Sequence, residues 1–252
     1  MCAGEYETIE NDDKDAPTKM RIFVRNSKSK FVDSKEVFNS VKLGMKFFGE
    51  LFNHPFPFDK YDIIYCPEFR ITAMENVGAV TFTDRVLMPE DTMTRTVASI
   101  HIAVHMHELS HMWFGDLTTM QWWNDLWLKE SFADFCKVIS MTEIPEIAKS
   151  YPNSEFYNLA FLSNANEADL LPSTHPIQAV IKHTGDATSA FDAISYRKGA
   201  SWIKTMNNFI GRSILQEGLR DYVNSFAYKN TVLNDLVLCL NKAYNKAVGS
   251  GA

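Results

Sequence analysis

Two imidazoles and two carboxylates within one short stretch constrain this 252-residue chain more than anything else in it. The stretch begins His107-Glu108-Leu109-Ser110-His111 and reaches Glu130 after eighteen intervening residues. On a helix, side chains four residues apart lie one above the other. A helix over 107–111 therefore presents two imidazole nitrogens to one point, the arrangement that binds a zinc ion. Glu108 is then placed to act on a water instead of on the metal. Glu130, on a second expected helix, adds an oxygen as third ligand and leaves a fourth position for that water. Zinc lowers the pKa of such a water toward ~7, and Glu108 can accept its proton and pass it to a leaving amine. The bland alternative, a helix with two core histidines and a surface glutamate, leaves the offset of Glu130 unexplained.

The other histidines do not extend this set. His101 and His105 are also four apart, but no glutamate follows His101. His105 sits about 200° around the helix from His107. Both read as packing or surface residues, and His54 and His175, each beside a proline, as loop residues. Asp134, one turn after Glu130, could orient a histidine ligand or be an ordinary exposed acid.

The composition is that of an ordinary globular protein, 46% hydrophobic and 22% charged, and fits one large domain or two small ones. A formal charge of -6 with no basic run gives no nucleic-acid footprint. Cys2, Cys66, Cys136 and Cys239 are far apart, with no CxxC, and read as reduced, partly buried thiols. The start of the chain is acidic and lacks an apolar run, so it is not a signal peptide. No stretch approaches ~18 uninterrupted apolar residues, so no membrane segment is expected and the expected location is cytoplasmic.

Residues 1–18 read as a flexible polar lead-in, 19–247 as one domain and 248–252 as a tail. Residues 20–25 read as a strand. Asp33 and Glu36 make a capping-box-like start for a helix carrying Val37, Phe38, Val41, Met45, Phe48 and Phe52 to about Asn53. Strands are expected over 61–66 and 77–82. A long helix is expected over 93–113, closed at Gly115, and a second one after Asn124 as N-cap, carrying Glu130. One or two short helices are expected within 144–190. Helices then follow over about 195–210, 213–227 and 232–247. Strands before residue 90 and helices after it give an α+β order.

The residues around the histidines carry a specific resemblance. His107–His111 with Trp113-Phe114-Gly115-Asp116, then Trp122-Trp123-Asn124-Asp125-Leu126-Trp127-Leu128, then Glu130-Ser131-Phe132-Ala133, closely resemble the zinc aminopeptidases of the aminopeptidase N and puromycin-sensitive type. These are gluzincins with a thermolysin-like catalytic domain. The family's Gly-Ala-Met-Glu-Asn is matched by Thr72-Ala73-Met74-Glu75-Asn76, and its Tyr-x-Lys-Gly by Tyr196-Arg197-Lys198-Gly199. The resemblance runs from about residue 17 to 245 with every motif in family order. It implies one zinc ion on His107, His111 and Glu130, Glu108 as general base, and peptides with a free N-terminus as substrates. Glu75 would bind the α-amine, Ala73, Met74 and Asn76 would hold the substrate in an extended pose, and Tyr196 would stabilise the oxyanion.

Three departures stand out. Thr72 replaces the family's first glycine, which restricts the backbone where substrate passes. Lys129 replaces an asparagine common beside the third ligand, where its cation would compete for Glu130 or point to solvent. Family members also carry a β-rich domain before this region and a helical one after it. The chain therefore reads as a fragment, the product of a truncated gene prediction or a reduced paralogue, with flanking domains in a longer parent and residues 20–26 as a strand with a bare edge. Three readings compete: a zinc aminopeptidase, a weakly active or non-catalytic zinc-binding domain acting through protein contacts, and an endopeptidase, against which Glu75 argues.

Overall fold

Along Lys19–Arg25 the buried residues Met20, Ile22 and Val24 alternate with more exposed ones, the period of a strand with one face on a core. In the computed structural model, which describes residues 2–152 and 165–249, this strand is β2, the second of five in a mixed sheet. The spatial order is β1 (Tyr6–Glu10), β2, β3 (Lys60–Cys66), β5 (Ala79–Thr83) and β4 (Ala73–Met74). β2, β3 and β5 run parallel, while β1 and β4 are antiparallel to their neighbours. Arg21 and Asp62 are register partners on β2 and β3, and the guanidinium donates two 2.8 Å bonds to the carboxylate.

Two expectations are corrected here. Residues 6–10 are not a loose lead-in: Tyr6 pairs with Arg25 and Glu10 with Arg21. The edge of β2 is therefore covered. β1 is polar and mostly exposed, so backbone pairing holds it, and no hydrophobic alternation marks it in the sequence.

After a short turn of helix, α1 (Asn26–Ser29), the amphipathic α2 (Ser34–Phe52) buries Val37, Phe38, Val41, Met45, Phe48 and Phe52, as their spacing requires. The Asp33 carboxylate accepts from the Glu36 amide at 3.0 Å. The Glu36 carboxylate instead accepts from Ser40 and Tyr151, so half of the capping box forms. Phe48 and Phe52 pack on Trp113, and Phe114 stacks on Phe132 and Tyr222, joining α2 to the helical part through one aromatic core.

The two helices that matter most are α3 (Arg95–Ser110), capped by the Thr94 hydroxyl, and α4 (Leu126–Glu143). α3 ends three residues sooner than expected, in a turn that leads to Gly115 at φ +133°. The N-cap of α4 is Asp125, not Asn124, because a 3-10 turn over Trp123–Asp125 precedes it. The Asp125 carboxylate accepts from Gln178 at 2.6 Å and from the Leu233 amide at 3.2 Å.

α5 (Pro145–Ser150) lies in the stretch where short helices were expected, and the part of that expectation on 153–164 lies outside the described residues. A π turn (Ile194–Lys198) then leads into α6 (Gly199–Ile210), α7 (Arg212–Ser225) and α8 (Leu233–Gly249). The expected tail overlaps the end of α8, and residues 250–252 lie outside the described residues. β6 (Thr118–Met120) pairs in parallel with β7 (Lys229–Thr231) and ties this C-terminal part to the turn after α3. The architecture is α+β, a small N-terminal mixed sheet with a mostly helical lobe. Among the described residues no helix is long and apolar enough to cross a membrane, and the four cysteines are free.

Candidate active site

α3 and α4 pack side by side and set three donor atoms against one another. His107 Nε2 and His111 Nε2 are 3.2 Å apart, and Glu130 Oε2 is 3.4 Å from each. His111 caps α3 but keeps helical backbone angles, so the four-residue spacing holds to the end of the helix. Each imidazole is fixed from behind. His107 Nδ1 donates to Asp134 at 2.9 Å, and His111 Nδ1 donates to the Phe114 carbonyl at 3.0 Å. Both rings therefore turn Nε2, with its lone pair, toward the common point. Glu130 Oε2 is buried and has no hydrogen-bond partner in the protein. A buried carboxylate oxygen without a donor is costly unless a cation meets it. The three residues form a group that could hold a metal ion, and two nitrogens with one oxygen match the donor set of a catalytic zinc.

The surrounding charge supports that fit. Glu75, Glu108, Asp116 and Glu130 are drawn together around the histidines, and Glu75, Glu108 and His111 form a second group that could hold a cation. Burial pushes the Glu108 carboxyl up to about 7, against the pull of His107 and His111. Burial also lifts Asp116 to about 7, and its Oδ2 has no partner. Glu130 is held well below the usual carboxylate range: burial opposes this, and His111, His107 and Lys129 outweigh it.

Glu75 follows the short edge strand β4, formed by Ala73 and Met74, and is buried beside Glu108 and His111. Asn76 lies in the turn after it, where its amide donates to the Thr81 hydroxyl at 3.2 Å. Tyr196 enters from the π turn. Its ring stacks on His107, with centroids 6.0 Å apart and planes 12° from parallel. Burial raises its phenol well above the ordinary value, and the charges of Glu130, Glu75 and Glu108 add to this. The π turn is seated by the Ser131 hydroxyl, which donates to the Ser195 carbonyl at 2.6 Å, and by Asp192, which accepts from the Ile194 and Ser195 amides.

His107, Glu108, His111, Glu130, Glu75 and Tyr196 thus gather around one point, Ala73 and Met74 form the strand that leads to Glu75, and the Asn76 side chain is spent on its own turn. Asp134 is the partner of His107, as its position one turn after Glu130 allowed. Lys137, which donates to the same Asp134 oxygen at 2.5 Å, had no signal in the sequence. Neither did Asp116. Lys129 reaches neither solvent nor Glu130 alone: its ammonium forms an ion pair with Glu75 and lies 3.4 Å from Glu130 Oε1. His101 and His105 stay out of the site and share hydrogen bonds with the Tyr65 hydroxyl on the sheet side of α3.

A family model described as the peptidase family M1 domain matches residues 36–251. Aminopeptidase N of Streptomyces lividans is 37% identical over 246 residues, covering 96% of this chain and 28% of that protein. Leucyl aminopeptidase of Saccharolobus solfataricus is 32% identical over 245 residues, covering 97% of this chain and 30% of its own length. Endoplasmic reticulum aminopeptidase 1 of Mus musculus is 34% identical over 194 residues, 76% of this chain and 20% of that protein. The chain spans less than a third of the length of each of these curated relatives. A match of this extent means that the chain belongs to peptidase family M1.

Proposed function

We propose that this chain is the catalytic domain of a zinc aminopeptidase that hydrolyses N-terminal residues from peptides. The observation that carries the reading is the convergence of His107 Nε2, His111 Nε2 and Glu130 Oε2, a buried oxygen with no hydrogen-bond partner, with Glu108 beside them. When bound there, zinc supplies Lewis acidity to a water and to the scissile carbonyl. Glu108 accepts a proton from the attacking water and returns it to the leaving amine, a task suited to a carboxyl lifted to about 7. The Tyr196 hydroxyl donates a hydrogen bond to the oxyanion as charge develops on it. Ala73 and Met74 form the outer strand of the sheet, and the free side of that strand accepts a peptide as one more strand. Glu75, at the end of the strand, pairs with the peptide's α-ammonium and so counts residues from the N-terminus. Flanking domains in a longer parent protein belong to the same reading, since the relatives are more than three times as long as their matched parts. So does a reducing, cytoplasmic location, which suits four free thiols.

The test compares free-amine and N-acetylated aminoacyl anilides with zinc-loaded protein. The free-amine substrate is expected to be cleaved and the blocked one spared. Glu108→Gln should keep its zinc and lose turnover by about 10²–10⁴-fold. Equal cleavage of the blocked substrate would overturn the exopeptidase reading. Full turnover by Glu108→Gln would remove its role as base.

A further inference from the structure

Lys129 stands directly before the third ligand on α4, and its side chain is built into the pocket. Its stem lies against Gly115: a Cβ added there would stand 3.3 Å from Lys129 Cδ and 3.4 Å from Lys129 Cβ. Gly115 holds φ +133°, a conformation that other residues rarely adopt, so the loop leaves a channel for the lysine. The ammonium at the end of this channel ion-pairs with Glu75 Oε1 and lies 3.4 Å from Glu130 Oε1. The side chains of Lys129 and Glu75 are 14% and 8% exposed, so water does little to screen the pair.

A primary ammonium already sits where a peptide's own ammonium is to bind. The two groups have the same charge and the same three donors. They cannot share one buried carboxylate without strong repulsion. We propose that Lys129 is a specificity-determining residue: a tethered competitor that occupies the α-amine anchor on Glu75 and must be displaced by the substrate's N-terminus. This rests on the reading of Glu75 as that anchor. A tethered group competes at an effective concentration in the millimolar range or above, so a free N-terminus keeps only part of the advantage that Glu75 would otherwise give it over a blocked one. Removing the ammonium frees Glu75 and sharpens the preference for free amines. The ion pair spans residues 75 and 129 on separate elements, and nothing in the local sequence announces it.

The experiment uses the zinc-loaded 252-residue chain and calorimetric titration with two probes, L-leucine and N-acetyl-L-leucine, which differ at the amine. In Lys129→Met, L-leucine is expected to bind about tenfold tighter or more, the size of a buried charge-assisted contact, while N-acetyl-L-leucine stays within about twofold. Lys129→Asn, a smaller polar replacement, should behave alike and serves if the methionine variant fails to fold. Glu75→Gln should weaken L-leucine alone, and Lys129→Met with Glu75→Gln should lose the gain. Zinc stoichiometry in every variant separates an effect through Glu130 from one at Glu75. If both Lys129 variants bind L-leucine no tighter while Glu75→Gln weakens it, the proposal is overturned and the amine anchor stands. If Glu75→Gln leaves L-leucine binding unchanged in the Lys129→Met background as well, the anchor reading falls, and the proposal with it.

Discussion

Asp134 decides which nitrogen of His107 faces the site. Its Oδ1 accepts from His107 Nδ1 at 2.9 Å and from Lys137 Nζ at 2.5 Å. Burial alone would raise this carboxyl, but Lys137 and His107 hold it down at about 2. It is therefore a fixed anionic acceptor, which would make His107 a better ligand for the proposed zinc. Asp134→Asn is expected to weaken zinc binding by about 10- to 100-fold, read by competition with a chromophoric chelator. Unchanged affinity would mean that packing alone orients the ring. Tyr196→Phe removes one oxygen and keeps the ring stacked on His107. Its turnover should fall about 100-fold with little change in KM and none in zinc content. Loss of zinc in step with activity would make Tyr196 a structural residue. The three donors and Glu108 were legible in the sequence because fixed spacing on a helix fixes direction. The destination of Lys129 was not, because a four-carbon side chain can reach several acids and the fold alone chooses among them.

At the level of elements, the π turn over Ile194–Lys198 is the part that local sequence hides most completely. Residues 195–210 read as one ordinary helix, and the structure divides them into the widened turn and α6 from Gly199. The widened turn comes from contact with α4. The Ser131 hydroxyl takes up the Ser195 carbonyl, and Gly199 lies so close that an added Cβ would stand 1.9 Å from Ser131 Oγ and 2.8 Å from Ser131 Cβ. Such single widened turns often serve functional sites, and here one aims Tyr196 at His107. Gly199→Ala should therefore destabilise the fold by about 1–3 kcal/mol, as overpacking does, and also lower turnover by moving the turn. Urea denaturation checks the first effect. Ser131→Ala combined with Gly199→Ala should recover part of the lost stability, since the closest contact is then gone. A Gly199→Ala protein with unchanged stability and turnover would show that the turn has room to spare. β1 was hidden for a different reason: its side chains bury little, and its place depends on an unpaired neighbour at β2.

Across the whole molecule, the α+β order was legible because strand-like and helix-like periodicities fall in separate halves of the chain. The concentration of buried charge around the histidines was not, since those charges meet only after folding. Glu75, Glu108, Asp116, Glu130 and Asp134 are gathered at the junction of α3, α4 and the edge of the sheet. Lys129 and Lys137 offset part of that charge, while Glu130 Oε2 and Asp116 Oδ2 lack partners. A dication at His107, His111 and Glu130, as proposed, would answer the largest of these deficits and would bind the folded chain in preference to the unfolded one. At a free zinc concentration about a thousandfold above its dissociation constant, linkage adds about 4 kcal/mol to stability. For a chain of this size that corresponds to a rise in Tm on the order of 10 °C. Calorimetric scans should show the drop when a chelator strips the metal and recovery when zinc is restored. His107→Ala should melt at a temperature that responds to neither. An equal response in His107→Ala would place the stabilising metal elsewhere in the fold and separate the stability of this domain from its catalytic pocket.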